Sequence, residues 1–216
     1  MPLEEIINRQ GIIISAPASG AGKTTVTLGL INAFARKRSV QPFKSGPDYI
    51  DSKFQSVAAD RPSYNLDTWA MSSSDILNMI GMVGPSDICI AEGSMGLFDG
   101  VISKGAGGNG STADLASITN WPVILVVDCA KQAQSVAALI TGFNSFRHDI
   151  TIGGIILNNI SSKRHEALVV SEVSKTKVPI LGVIPRSNEI TIPERHLGLV
   201  QACLLYTSDA ADDIPR

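Results

Sequence analysis

Soft metal ligands are scarce in this sequence, with three histidines and three cysteines in 216 residues. His148, His165 and His196 show neither HExxH nor HxH spacing, and Cys89, Cys129 and Cys203 have no partner at ligand spacing. That pattern excludes a metal centre built from nitrogen and sulfur. Cys89 lies inside an apolar run and reads as a core residue; Cys129 follows a strand end and reads most simply as a small packed side chain. Aromatic residues make up only 5% of the chain, too few for a platform on which single-stranded nucleic acid stacks. There is no basic excess: 18 Lys and Arg face 20 Asp and Glu, a net charge of −2. Nucleic acid and anionic membrane are therefore not expected partners. Long apolar runs are missing as well, and a stretch such as Pro122 to Val127 is far too short to span a bilayer. Met1 to Gln10 carries Glu4, Glu5 and Arg9 and lacks the apolar core of a secretion signal, so a cytoplasmic location is expected.

What is present is ample core material. Hydrophobic residues make up 44% and charged residues 18%, enough for one large domain. The stretch around which the chain is organised runs from Gly11 to Thr27, GIIISAPASGAGKTTVT. Ile12, Ile13 and Ile14 form a short β-branched run that reads as a buried strand. A small-residue loop from Ala16 to Gly22 follows, and Lys23, Thr24 and Thr25 open a helical pattern reaching about Arg38. Strand, glycine-rich loop and helix in that order are the context of a phosphate-binding loop. Backbone N–H groups of Gly20, Ala21, Gly22, Lys23, Thr24 and Thr25 can converge on a phosphate chain at the positive end of the helix. Lys23 can reach the β- and γ-phosphates of ATP, and the Thr24 hydroxyl can hold Mg²⁺. The strict pattern has glycine five positions before Gly22, where this chain has Pro17. A plain turn packing a helix onto a sheet would explain the glycines but not the Gly-Lys-Thr between matching flanks.

Further apolar runs end in polar residues: 40–43 at Lys44, 88–91 at Glu92, 123–127 at Asp128 and 154–157 at Asn158, with a last run over 178–184. Helical patterns lie between them at 74–82, 112–120, 134–146 and 163–175. This alternation predicts an α/β fold, a mostly parallel sheet with helices on both faces. In such sheets ligands bind at the carboxyl ends of the strands, where Lys44, Glu92, Asp128 and Asn158 fall. The glycine-rich run 105–111, GAGGNGS, reads as a mobile active-site loop or a flexible connection.

Two of these strand ends carry chemistry. Lys44-Ser45-Gly46-Pro47-Asp48-Tyr49-Ile50-Asp51 gathers a lysine and two carboxylates around a Gly-Pro turn. It reads equally as a solvated turn and as a metal or substrate site facing the nucleotide. Glu92-Gly93-Ser94-Met95-Gly96-Leu97-Phe98-Asp99-Gly100 begins with an acid at the end of a buried strand, able to ligate Mg²⁺ directly or through water. Asp128 ends an apolar strand in the same way, and the pattern does not separate the two.

Taken together, 44–51 (KSGPDYID), 92–100 (EGSMGLFDG), Asn65-Leu66-Asp67, Arg164-His165 and 194–200 (ERHLGLV) resemble the cobyrinate or hydrogenobyrinate a,c-diamide synthases over about 11–200. The resemblance implies a dethiobiotin synthetase-like P-loop fold and a ligase of cobalamin biosynthesis. ATP would phosphorylate the a- and c-acetate carboxylates of a corrinoid or related tetrapyrrole, and ammonia would displace the phosphate. It implies catalytic roles for Lys23, Asp48, Asp51 and Asp99, magnesium contacts from Thr24, Asp48 and Glu92, and substrate contacts from Lys44, Tyr49 and Asp99. Asn158 would contact adenine. The pattern departs at Ser52 and Gln55, where the family usually carries Pro and His. Residues 1–202 would be the synthetase domain. The family's C-terminal glutaminase, with its cysteine nucleophile, has no counterpart here, so ammonia would be free or come from a separate glutaminase. Residues 203–216 do not resemble the family and read as translated read-through beyond a truncated gene. A homodimer is left open. Two rivals are a nickel-sirohydrochlorin a,c-diamide synthase and, from another class, a ParA/MinD-like switch ATPase. The second expects a signature lysine early in the P-loop, and 17–21 contain none.

Overall fold

In the computed structural model, residues 9–187 are described, together with the backbone of two short strands at 194–195 and 198–199. Seven strands form one sheet: β1 (Gly11–Ser15), β2 (Val40–Ser45), β3 (Tyr64–Leu66), β4 (Ile88–Glu92), β5 (Val123–Asp128), β6 (Ile152–Ile160) and β7 (Ile180–Pro185). Their order is β3-β2-β4-β1-β5-β6-β7, and every pairing is parallel. Six helices connect them: α1 (Lys23–Ala35), α2 (Tyr49–Ala59), α3 (Ser73–Met82), α4 (Thr112–Thr119), α5 (Val136–Phe146) and α6 (Lys163–Val173), the last continued by a 3₁₀ turn over Ser174–Thr176. β8 (Glu194–Arg195) and β9 (Gly198–Leu199) pair antiparallel apart from the main sheet.

The expected parallel α/β architecture is thus present, and the continuous apolar strands explain it. Successive side chains leave a strand on opposite faces, so a strand covered on both sides must be apolar throughout. Ile13, Cys89, Ala91, Leu125, Val127 and Leu157 face one core, while Ile14, Ile90, Ile124, Val126 and Ile156 face the other. Among the described residues, no helix is long and apolar enough to cross a membrane.

Among the strands of the main sheet and the helices that connect them, two elements lie outside the sequence expectation. α2 and β3 fall between Tyr49 and Leu66, where no apolar period announced them. α2 buries Asp51, Ser52 and Gln55 while leaving Tyr49 and Val57 exposed, so its inward face is polar. The run 105–111 is not a loose connection within the described structure. Ala106 N donates to Trp69 O at 2.8 Å, Gly107 N to Thr68 O at 2.9 Å and Gly105 N to Gly108 O at 2.7 Å. Glycine is needed there because a Cβ on Gly105 would collide with the Trp69 carbonyl.

Close approach also matters at the start of the sheet. The Trp121 indole, 6% exposed, donates from Nε1 to Arg9 O at 2.8 Å and lies across Gly11. A Cβ on Gly11 would enter the indole ring. Gly11→Ala is expected to lower folding stability by about 1–3 kcal/mol through overpacking. A urea titration checks this; an unshifted midpoint would show that the ring yields freely.

Candidate functional site

The phosphate-binding loop owes its geometry to two left-handed glycines, Gly20 (φ 75°) and Gly22 (φ 90°), a conformation that penalises any side chain. Gly22 is the N-cap residue of α1, and no side chain caps this helix. By contrast, Asp48 caps α2, Ser72 caps α3, Ser111 caps α4 and Ser162 caps α6. The first N–H groups of α1 therefore have no protein acceptor from a cap, and no acidic side chain lies in its first turn. Such a terminus favours an anion. Leu97 N donates to Ala16 O at 2.8 Å, joining the loop to the segment after β4. Pro17, which stands where the strict pattern has glycine, places its carbonyl against Gly96: a Cβ there would lie 2.6 Å from Pro17 O. Lys23 spans the same gap, donating to Met95 O at 2.6 Å and more distantly to Ala18 O at 3.4 Å. Burial lowers its pKa, and Glu92 opposes that shift.

Four residues from four elements meet beside this loop. Thr24 Oγ1 donates to Glu92 Oε1 at 2.6 Å, and Lys44 Nζ lies 3.1 Å from that oxygen. Lys44 Nζ also donates to Asp51 Oδ2 at 2.6 Å. Glu92 is fully buried, and Lys44 is only 3% exposed. Burial works against the Lys44 charge, but Glu92 and Asp51 outweigh it and hold its pKa above the ordinary lysine value. Burial is also the main influence on Asp51; Lys44 opposes it and Glu92 adds to it, leaving the Asp51 carboxyl pushed up to about 6. The choice between Glu92 and Asp128, open in the sequence, is settled for contact with Thr24. β4 and β5 both flank β1, but Thr24 meets Glu92 at the end of β4, whereas Asp128 at the end of β5 accepts from Ala130 N at 3.0 Å and Asn159 Nδ2 at 2.9 Å.

The remaining expected residues surround this cluster. Asp48 accepts from Ile50 N at 2.9 Å and Asp51 N at 3.1 Å as the cap of α2, and its other oxygen lies 3.9 Å from Lys44 Nζ. Asn65 Nδ2 holds the same turn through Gly46 O at 2.6 Å and Asp48 O at 2.8 Å. Tyr49 is 68% exposed. Asp99 Oδ2 accepts from Gly96 N at 2.8 Å and closes the turn beneath Pro17, outside the Lys44 cluster. Asn158 lies on the other flank, where its Nδ2 donates to Ala21 O at 2.9 Å. There a cleft of about 530 Å³ is lined by Gly22, Thr25, Leu30, Asn158 and Val183 among others. His165, of the Arg164-His165 pair, places Nε2 2.6 Å from Gln132 O, away from the cluster. The side chains of 194–200 and the tail 203–216 lie outside the described residues.

Gln55, which the sequence marked only as a departure from the family pattern, is a site residue. Its Nε2 donates to Glu92 Oε2 at 2.8 Å, and the residue is fully buried. The available signal was its position four residues after Asp51, one helical turn further on the same face, but only once a helix was recognised there. The cluster's chemistry is that of hard oxygen donors: the Thr24 hydroxyl with the Glu92 and Asp51 carboxylates. That set suits Mg²⁺, which takes one or two carboxylates and completes its shell with water and phosphate. Among the described residues, no three His, Cys, Asp or Glu form a cage for a metal.

Comparisons with known proteins bear on the family and the fold. A family model described as the CobQ/CobB/MinD/ParA nucleotide binding domain matches residues 12–200. The chain is 47% identical to a hydrogenobyrinate a,c-diamide synthase from Rhodobacter capsulatus over 194 residues, covering 89% of this chain and 45% of that protein. It is 48% identical to a protein of the same name from Brucella anthropi over 196 residues, covering 89% of this chain and 44% of that protein. The chain thus spans less than half the length of these curated relatives. Solved structures share the fold at low identity. The hydrogenase maturation factor HypB from Archaeoglobus fulgidus superposes with a TM-score of 0.54 at 12% identity, covering 84% of each chain. A putative plasmid partition protein from Borrelia burgdorferi, bound to AMPPNP, gives 0.54 at 14% identity over 85% of this chain and 89% of that one. With the family model covering nearly the whole described fold, the chain belongs to the CobQ/CobB/MinD/ParA nucleotide-binding domain family.

Proposed function

We propose that residues 1–202 form the ATP-dependent synthetase domain of a hydrogenobyrinate (or cobyrinate) a,c-diamide synthase, amidating two acetate carboxylates of the ring. The observation that carries this reading is the 2.6 Å contact between Thr24 and Glu92 beside an uncapped P-loop helix. It is supported by 47–48% identity to proteins of that name. ATP would lie with its phosphates at the N-terminus of α1 and its adenine in the cleft beside Asn158. Thr24 and Glu92 would hold Mg²⁺, with Asp48 at the margin. Bound there, the cation would neutralise charge on the β- and γ-phosphate oxygens.

The chain's own residues account for the rest. A substrate carboxylate oxygen attacks the γ-phosphorus, the bond to the ADP oxygen breaks, and an acyl phosphate forms. Lys23 exchanges Met95 O for the transferring phosphoryl group and stabilises its developing charge. Lys44, already balancing Glu92 and Asp51, keeps these carboxylates from repelling the incoming phosphate. Tyr49 and Asp99 lie on the substrate side, where exposed Tyr49 offers its ring to a flat macrocycle. Ammonia then attacks the acyl carbon, phosphate leaves, and the nitrogen loses a proton to become the amide. The ammonia comes from glutamine through a glutaminase, or is supplied free.

The test uses this chain with ATP, Mg²⁺, ammonium chloride and hydrogenobyrinic acid, followed by mass spectrometry. Two successive OH-to-NH₂ changes with ADP release are expected; steady ATP hydrolysis without ring amidation would replace this reading with a switch ATPase. Lys23→Ala is expected to lower amidation by roughly 10²–10³-fold, read as initial rate at saturating ATP, and an unchanged rate would remove Lys23 from catalysis. Asp51 supplies a pH dependence. Its raised pKa means that protonated Asp51 favours the folded state at low pH, a contribution lost as pH rises through about 6. The cluster carries its full negative charge only above that point. Magnesium-dependent ATP affinity is therefore expected to weaken below about pH 6 more steeply in the unaltered chain than in Asp51→Asn, where only the ATP phosphate titrates. Calorimetric titrations across pH check it, and identical pH profiles for the two proteins would overturn it.

A further inference from the structure

We infer that Gln55 is a positioning residue that fixes the plane of the Glu92 carboxylate and reserves one of its oxygens for the cation, an assignment that rests on the magnesium-nucleotide reading above. Glu92 has two oxygens, and the structure divides them. Oε2 accepts from Gln55 Nε2 at 2.8 Å, while Oε1 is shared by Thr24 Oγ1 at 2.6 Å and Lys44 Nζ at 3.1 Å. With Oε2 tied, the carboxylate cannot rotate without giving up a charge-assisted hydrogen bond in a site that water does not reach. Oε1 therefore stays turned toward Thr24.

The clamp is itself held. The Glu92 carboxylate, which only accepts, requires the Gln55 Nε2 on its side, and Gln55 Oε1 then accepts from Ser63 Oγ at 2.8 Å. Ser63 N donates to Ser56 Oγ at 2.9 Å, and Ser56 Oγ donates to Ser52 O at 2.7 Å. A chain of hydrogen bonds thus runs from the segment before β3, through two turns of α2, to the acid at the end of β4. Charge explains why an amide serves here. A cationic side chain at position 55 would also orient Glu92 but would cancel the charge that attracts a divalent cation. Neutral Gln55 orients the carboxylate and leaves its charge intact, while Lys44, the cation already present, contacts the oxygen that faces Thr24.

The test separates metal-dependent from metal-independent binding. ATP affinity of the full chain is measured by calorimetry with Mg²⁺ and again with EDTA, for the unaltered protein, Gln55→Leu, Gln55→His and Ser63→Ala. Gln55→Leu is expected to bind ATP normally in EDTA and to lose roughly tenfold of the gain that magnesium gives, the usual cost of removing a partner that orients a metal ligand. Gln55→His, which keeps an N–H donor, is expected to restore most of that gain at a pH where the imidazole is neutral, and Ser63→Ala to lose a smaller part. A fully retained magnesium gain in Gln55→Leu overturns the assignment while leaving the nucleotide reading standing. Equal loss with and without magnesium also overturns it, because that is the signature of a general packing defect. An unaltered chain that binds ATP no better with magnesium than with EDTA overturns the nucleotide reading, and the role of Gln55 with it. Should Gln55→Leu fail to fold, Ser63→Ala decides: a fully retained magnesium gain there overturns the assignment.

Discussion

A buried ammonium between two carboxylates is the constraint on which this site depends. Lys44 reaches Asp51 at 2.6 Å and Glu92 at 3.1 Å from a position almost sealed from solvent. Burying any one of these charges alone would cost several kcal/mol, and breaking such a group by removing one member commonly costs about 3–5 kcal/mol. The three must therefore be assembled together. Sheet order does this, because β2 lies beside β4 and β4 beside β1. Lys44 is paired in register with Glu92 across the β2–β4 ladder. The turn after β2 then brings Asp51 back over both, with Asp48 capping the helix that carries it.

The cluster and the P-loop complement each other. α1 begins without a side-chain cap, so its free N–H groups have unspent capacity for an anion. The cluster beside it has oxygen donors with capacity for a cation. In the proposed reading, a magnesium–nucleotide complex would answer both demands together. The 530 Å³ cleft on the opposite flank of the loop, with Asn158 at its edge, leaves room for the remainder of a nucleotide.

Much of this was legible in the sequence. β1, β4 and β5 announce themselves because strands buried on both faces must be apolar throughout, and the loop after β1 shows its glycines where left-handed backbone requires them. α2 was hidden for the converse reason. Its inward residues are Asp51, Ser52 and Gln55, so the apolar period that identifies a helix is absent on the side that packs. A helix that serves a polar site loses the very signature by which helices are found. With only three residues and an exposed Tyr64, β3 offered no pattern either. The rivalry of Glu92 and Asp128 could not be resolved from sequence because both end apolar strands that flank β1; what separates them is the hydrogen bond from Thr24, which goes to Glu92. Gln55 stood out in the sequence only as a departure from the family pattern; its role became visible with α2, since it comes from an atom of Glu92 far away in sequence.

The glycine-rich run after the site has a consequence for how this protein can change over time. Sequences of that texture ordinarily mark places where a chain accumulates insertions and drifts freely. Here the backbone of Gly105 lies so close to the Trp69 carbonyl that no side chain can intervene, and Gly108 meets the Asp114 carboxylate in the same way. Asp114 in turn pairs with Arg147 at 2.8 Å. A single added residue in 105–108 would have to displace the turn after β3, the start of α4 and the end of α5 together. The least structured-looking stretch of the domain is thereby among its least permissive, and variation is better sought on exposed helix faces than there.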